Sequence, residues 1–280
     1  LIARSNTKPP RRARNGHLTM AQRADPHQLY QRAVQTPNAD IWFIGATFRK
    51  LRGRAPVSLR EDFCGTAFTA TTWVQGHARR SAIGVDIDAD TLAWGLEHNV
   101  LPAGPSVSRR IELVQGDVLE VETRKVDVVC ALNFSYAVFK TRAMLRSYLK
   151  NARAALKRDG LVVLELFGGT ESFVPLIEKQ KRGRFTYVWE QKSFNPINHE
   201  TVCQISFRFP DRSRLEPAFQ YEWRLWTVPE IRELLAEAGF RASKVYWQKL
   251  DSRGEGTSDF YATEAAENQE CFVAYVVGLP

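Results

Sequence analysis

An α/β fold, with a mostly parallel sheet covered by helices on both faces and an antiparallel β meander inserted into it, is predicted by three observations. Strand-like apolar runs at 57–63, 81–86, 110–115, 126–132 and 161–167 alternate with helical patterns, as a doubly covered parallel sheet requires. The first run ends in a tight Cys64-Gly65-Thr66 turn that opens a helix, the place where such sheets bring backbone close to a ligand. Three period-two aromatic runs follow the fifth strand: Phe185, Tyr187, Trp189; Cys203, Ile205, Phe207, Phe209; and Phe219, Tyr221, Trp223.

The chain has 280 residues, enough for one α/β domain with an insertion, and its 44% hydrophobic content can fill a core. Its net charge of +8 is concentrated at one end. Six of the 39 basic residues (Arg4, Lys8, Arg11, Arg12, Arg14 and Arg23) precede the first acid, Asp25, leaving 33 basic against 31 acidic residues, or +2. Residues 1–24 are therefore expected to be a basic, disordered leader, and nucleic acid is expected as a partner only through it. Met20 is a candidate start; a weak Arg-rich targeting segment is the alternative.

Residues 25–55, broken at Thr36-Pro37-Asn38, predict two short helices forming a cap. The cofactor-binding core is expected over 56–182, the meander over 183–226 and the completion of the core over 227–280. Thr141 is placed to cap a helix with Leu145, Leu149, Ala152 and Leu156 on one face and Gly160 as its stop. Thr227 and Glu230 form a capping box ahead of Ile231, Leu234, Leu235 and Ala238, with Gly239 as the stop. The meander's aromatic face has to be covered, by packing within the chain, by a substrate or by a second copy in a homodimer. Lys244–Gln248 and Cys271–Gly278, joined by an acidic loop, predict a terminal hairpin.

No apolar run approaches the ~20 residues that span a bilayer, so no membrane partner is expected and a soluble, cytoplasmic protein is. Cys64, Cys130, Cys203 and Cys271 lack CxxC spacing and read as small hydrophobes in a reducing compartment. The histidines have no metal spacing, and no metal is expected.

Asp86 follows Gly65 by 21 residues, at the end of the second strand, where a carboxylate can accept both hydroxyl hydrogens of an adenosyl ribose. With that pair, Glu61-Asp62-Phe63-Cys64-Gly65-Thr66-Ala67 resembles the acidic-x-Gly-x-Gly-x-Gly turn of the class I S-adenosylmethionine-dependent methyltransferases. Gly84-Val85-Asp86, Gln115-Gly116-Asp117-Val118, Asp127–Tyr136 and the terminal β pair are similar to that family's later landmarks, over roughly residues 56–280. Phe63 and Ala67 stand where the family usually carries glycine. A dinucleotide enzyme needs those glycines to admit pyrophosphate, so the departures weigh against an NAD-linked oxidoreductase.

The resemblance implies a Rossmann-like sheet with an antiparallel last strand and S-adenosyl-L-methionine as cofactor. It places Gly65 against the methionine part, Asp86 on the ribose, Asp117 on the adenine amino group with the Val118 amide donating to the ring, and Asn133 at the cofactor end of the fourth strand. Glu61 would fix the turn or meet the ligand's ammonium; for Asp117 a helix cap is the competing role. Asn133 and Tyr136 share the outer spacing of the Asn-Pro-Pro-Tyr signature of nucleic-acid amino methyltransferases but lack both prolines, and we read that similarity as chance. The expected activity is in-line methyl transfer to a small-molecule acceptor, on N, O or C. The alternatives are RNA or protein methylation and a non-catalytic S-adenosylmethionine-binding or oligomerisation module. Tyr136 and His199 are the candidate bases. Tyr30, Tyr136 and Tyr221 are the candidate acceptor contacts, with cap and meander expected to enclose the acceptor.

Overall fold

Residues 18–280 are described in the computed structural model, and they divide into two units. Thr36–Gly169 and Trp226–Pro280 form the first; residues 18–35 and Thr170–Leu225 form the second. Residues 1–17, most of the expected basic leader, lie outside the description.

The part of that leader that is described is ordered. Thr19 and Gln22 close a reciprocal cap on α1 (Met20–Arg23), and Asp25 Oδ1 accepts from the amides of His27 and Gln28 to start α2 (Pro26–Ala33). α3 (Pro37–Arg52) begins on a proline and ends at Gly53, whose φ of +70° only glycine adopts readily. Then follow β1 (Ser58–Asp62), α4 (Phe68–Gln75), β2 (Ser81–Asp86) and α5 (Ala89–Gly95), which runs into a π-helical turn at Leu96–Val100. α6 (Pro105–Ser108), β3 (Ile111–Gln115), β4 (Val126–Ala131), a 3-10 turn at Ser135–Val138, α7 (Arg142–Ala154) and β5 (Leu156–Gly168) complete the first stretch of that unit. The second unit continues with β6 (Leu176–Arg182), β7 (Phe185–Asn195), β8 (Glu200–Arg208) and β9 (Arg214–Arg224). The chain then returns to the first unit as α8 (Val228–Glu237), β10 (Ala242–Leu250), β11 (Gly256–Thr263) and β12 (Phe272–Leu279).

The first unit holds an eight-stranded sheet in the order β11-β10-β12-β5-β4-β1-β2-β3. β5, β4, β1, β2 and β3 run parallel, and β12 lies antiparallel between β5 and β10, as the resemblance implied. Alternate residues of β4 show why both faces are helix-covered. Val128 and Cys130 pack towards Phe48 of α3 and Trp73 of α4, whereas Val129 and Ala131 face Leu149 of α7 and Leu234 of α8. Two expectations need correction. The acidic loop before β12 contains a further strand, β11, at the sheet edge. The helix capped by Thr141 stops at Ala154, not Gly160, because Leu156 to Gly168 pairs with β4 and β12 as one long strand.

The second unit is a four-stranded antiparallel meander, β6-β7-β8-β9, one strand more than the aromatic periodicity showed. β6 reads Leu-Ile-Glu-Lys-Gln-Lys-Arg and carries little apolar signal because it is an exposed, charge-guarded edge. Leu29 of α2 and Ala21 of α1 bury against Phe185, Ile205, Phe207 and Phe219, and Met20 N donates to Asp211 Oδ2 at 2.7 Å. The stretch read as one cap is thus divided: α2 belongs to the meander's unit and α3 to the large sheet's. Among the described residues no helix is long and apolar enough to cross a membrane.

Candidate functional site

The turn after β1 takes a left-handed backbone at three alternate residues: Phe63 at φ +58°, Gly65 at +52° and Ala67 at +53°. These are the three positions where the resembling family uses glycine. Two of them hold L-residues in a conformation that costs about 1–2 kcal/mol each, so the turn is imposed by its surroundings. Those surroundings are two carboxylates. Asp86 Oδ2 accepts from Gly65 N at 2.7 Å, while its Oδ1 takes Asp88 N at 3.0 Å. From beneath, Glu61 Oε2 accepts from Ala70 N at 2.7 Å, in the first turn of α4. Glu61 thus ties the end of β1 to the first turn of α4.

Close packing completes the clamp. A Cβ on Gly95 would stand 2.4 Å from Thr66 O, so only glycine lets α5 lie against this turn, and Asn99 Nδ2 donates to the same carbonyl at 2.8 Å. On Gly65 a Cβ would meet only Thr91 Cγ2, at 3.9 Å, so the outer face of that glycine is open.

A cavity of about 170 Å³ lies beside the turn, at the carboxyl ends of β2 and β3. Phe63, Ile87, Val118, Leu119, Phe139 and Met144 supply its apolar lining, and its only charged members are Asp86 and Asp117. Ile87 and Met144 stay 45% and 41% exposed, an unusual amount of uncovered apolar surface for two residues of one site. Asp117 Oδ1 accepts from Leu119 N at 2.9 Å, so it caps the turn after β3, and the residue also lines the cavity.

Asn133 lies in the turn just after β4 with φ +51°, and its amide donates to Glu165 Oε2 of β5 at 2.6 Å. Tyr136 follows in the 3-10 turn, 1% exposed, with its hydroxyl unpaired. Burial, and next the charge of Glu165, push that phenol's pKa well up, which weighs against the expected role of a base. The same effect acts on Cys64, a buried thiol whose pKa is raised by burial and by Glu61, Asp86 and Asp62.

The other acceptor-side expectations lie in the second unit. Tyr30 and Tyr221 share a side-chain hydrogen bond, and the Tyr30 ring meets Phe219 edge-on at 5.2 Å. His199 sits in the β7–β8 turn at φ +59°, beside Phe194 and Phe173. None of the three is among the groups that the first unit itself brings together.

Sequence reasoning missed Phe63, Ile87, Leu119 and Met144 as cavity walls, and it missed Asp40 and Glu165. Burial pushes Glu165 up to about 8 and Asp40 up to about 6, and Tyr275 Oη donates to Asp40 Oδ1 at 2.5 Å. Glu61 is raised to about 8, chiefly by burial and against the hydrogen bonds of Ala70 and Thr69. The available signal was one acid inside an otherwise apolar run, as in Leu164-Glu165-Leu166.

No family model and no curated protein matches the chain. Solved structures do. An S-adenosylmethionine-dependent methyltransferase from Clostridium acetobutylicum superposes with a TM-score of 0.65 at 16% identity, over 90% of this chain and 97% of that one. An amino pentose methyltransferase from Micromonospora echinaspora, solved with S-adenosylmethionine bound, gives 0.61 at 15%, over 94% and 99%. A sugar N-methyltransferase from Streptoalloteichus gives 0.60 at 15%, over 96% and 98%. The fold is that of the class I methyltransferases.

Proposed function

We propose that this chain is a methyltransferase that uses S-adenosyl-L-methionine to methylate a small-molecule acceptor. The carrying observation is the chemistry of the cavity beside Gly65: apolar walls, two carboxylates and no cation in its lining. Such a site suits a flat, uncharged ring with hydrogen-bond donors at its edges and repels phosphate. An adenosine moiety fits it, with the ribose hydroxyls donating to Asp86, the exocyclic amine to Asp117, and the ring between the exposed side chains of Ile87 and Met144. A dinucleotide does not fit, since its pyrophosphate would need cations or an open glycine turn where Phe63 and Ala67 stand.

When bound, the cofactor supplies a methyl group already activated on a sulfonium. The chain's own share is to hold and to exclude water. Gly65 offers an open backbone face, Asp86 fixes the ribose end, and Phe63 and Phe139 close the inner wall. Tyr136, kept neutral by burial, can orient a lone pair but cannot take a proton. The intact turn favours catalysis over the non-catalytic reading, and the solved relatives that act on an amino pentose and on a sugar nitrogen favour a small acceptor. Calorimetric titration with S-adenosylhomocysteine, S-adenosylmethionine and NAD tests this. Binding of the two sulfur nucleosides with none of NAD is expected; the reverse order, or no binding of either sulfur nucleoside, refutes it.

A further inference from the structure

β1 is a central strand, between β4 and β2, and all five of its residues are buried, yet three of them are ionisable: Arg60, Glu61 and Asp62. Glu61 is taken up by the first turn of α4. Arg60 and Asp62, two residues apart, point to the opposite face, where α7 lies. There Arg60 Nε donates to Asp62 Oδ1 at 2.6 Å, and both side chains are wholly enclosed. A pair this deep is a poor source of stability, because desolvation of the two charges offsets their attraction. Burial pushes the Asp62 carboxyl up in spite of Arg60 and the Tyr148 hydroxyl, so its charge is not fully compensated. The use of the pair lies in what it holds.

It holds two parts of the cavity beside Gly65. The Tyr148 hydroxyl donates to Asp62 Oδ2 at 3.1 Å, which fixes a ring lying 5.6 Å from Phe63 and 5.4 Å from Phe139, the two aromatic members of the cavity lining. In the other direction Arg60 spreads its fork. Nη1 donates to Thr123 Oγ1 at 3.3 Å and Nη2 to Asn151 Oδ1 at 3.0 Å, while Asn151 Nδ2 donates to the Val121 carbonyl at 3.0 Å. Val121 and Thr123 continue the segment after β3 whose Gly116, Asp117, Val118 and Leu119 line the same cavity. Residues 121–125 have no regular secondary structure, so these side-chain bonds, not a strand ladder, tie that end of the segment down. Met144, Tyr148 and Asn151 form one stripe of α7, at i, i+4 and i+7, and that stripe is at once cavity wall, ring support and loop tie.

Resting on the methyltransferase reading, we propose that Arg60, Asp62, Tyr148 and Asn151 are positioning residues for the cofactor's adenine. The buried pair sets where the Phe63–Phe139 wall stands relative to the segment carrying Asp117. It thereby holds the Asp117 carboxylate where it accepts from an exocyclic amine and rejects a base with a carbonyl at that position. None of the four lines the cavity; they act through Phe63, Phe139 and the 116–123 segment. Lysine cannot replace Arg60 in this role, since only a planar fork reaches Asp62, Thr123 and Asn151 together.

The test titrates S-adenosylhomocysteine and S-inosylhomocysteine, which carries oxygen in place of the amine, into the full chain by calorimetry. The wild-type chain is expected to prefer the adenine ligand by about tenfold or more, the effect of one hydrogen bond to a charged acceptor. Asn151→Ala, at a half-buried position where water replaces the lost bonds, should reduce that preference severalfold with little change in melting temperature. Arg60→Lys keeps a charge opposite Asp62 without the fork and should reduce the preference likewise. Arg60→Met combined with Asp62→Leu and Tyr148→Phe removes the pair and leaves no lone charge; its urea midpoint should match or exceed that of the wild type while the preference is lost. If that triple variant fails to fold, the two single variants decide. An unchanged preference in both single variants overturns the proposal, as does a loss of affinity shared equally by the two ligands, which would make the network a structural support only. A wild-type chain that binds both ligands equally overturns it too. Failure of the wild-type chain to bind S-adenosylhomocysteine overturns the methyltransferase reading instead.

Discussion

Asp86→Ala should damage the fold and the ligand site together, and the two losses can be separated. In the free protein the carboxylate accepts two backbone amides, Gly65 at 2.7 Å and Asp88 at 3.0 Å. Bonds to a charged acceptor contribute about 1.5–3 kcal/mol each. Both amides lie in part-buried surroundings where water can replace some of that, and removing the Asp86 charge relieves its repulsion of Glu61. A net cost of about 2 kcal/mol follows, which lowers the melting temperature of a domain this size by roughly 4–8 °C. In the complex the ribose hydroxyls lose the same acceptor, a further tenfold to hundredfold in Kd. Asp117→Ala is the contrast, because Asp117 carries one amide, that of Leu119, and none of the Gly65 turn; a few-fold weaker binding is expected. The assay pairs denaturant unfolding without ligand with calorimetry against S-adenosylhomocysteine below the melting temperature. Wild-type stability in Asp86→Ala would refute the clamp. Wild-type affinity in the folded variant would refute the ribose assignment.

Glu61, raised from 4.5 to about 8 mainly by burial, binds a proton in the folded state that the unfolded chain has released. Its stabilisation is therefore complete below pH 4.5 and is lost as pH rises through 8, so Glu61→Gln should flatten the fall in unfolding free energy between pH 5 and pH 9; parallel curves would contradict this. Asp127 runs the opposite way. Burial pushes its pKa up, but Arg54, the amides of Val57 and Ser58, and Lys157 outweigh that and hold it well below the ordinary carboxylate value, so its contribution is full above about pH 4 and is lost only as pH falls on through that depressed value. Asp127→Asn should cost about 2 kcal/mol at pH 7 and progressively less only as pH falls below about 4 towards the depressed folded value, read from urea midpoints, with the flanking cations' partial exposure limiting the loss. Ala67→Gly should be nearly neutral in the same assay, since relief of about 1–2 kcal/mol of strain is cancelled by chain entropy and one buried methyl; Phe63→Gly should cost 3 kcal/mol or more, losing ring contacts with Phe139 and Tyr148, and equal effects would refute that division.

What the sequence made legible was whatever repeats with a period. The five parallel strands announce themselves by short apolar runs alternating with helical patterns, and α8 because Thr227 and Glu230 reciprocate a cap. β6 and β11 stayed hidden for the same physical reason, being edge strands with exposed, polar side chains and no periodic core face. Asp86 and Gly65 were legible by spacing, and the structure joins them in one hydrogen bond. Ile87 and Met144 were not, since a cavity wall assembled from the end of β2 and the start of α7 has no signature in either segment. Glu165 and Asp40 lie 125 residues apart, and only the pairing of β5 with β4 and β12 and the packing of α3 bring their charges together.

The altered turn carries the most discriminating information about the ligand. Glycine at all three left-handed positions would make the backbone conformation cheap and leave a bare concave surface, which a pyrophosphate requires for amide contacts on every side. Here the conformation is kept at Phe63 and Ala67 in spite of its cost, so the path of the chain is still needed. The bare surface is not kept, because the Phe63 ring fills it and becomes a wall of the cavity. A ligand served by that exchange places apolar or flat surface, rather than charge, against Phe63, and reaches the backbone only at Gly65. The acidic groups that remain at the edge would repel a phosphate chain but attract the cationic sulfonium and ammonium of S-adenosylmethionine. Strain retained at two residues and glycine retained at one thus select between two adenosine cofactors that the spacing of Gly65 and Asp86 alone would admit equally.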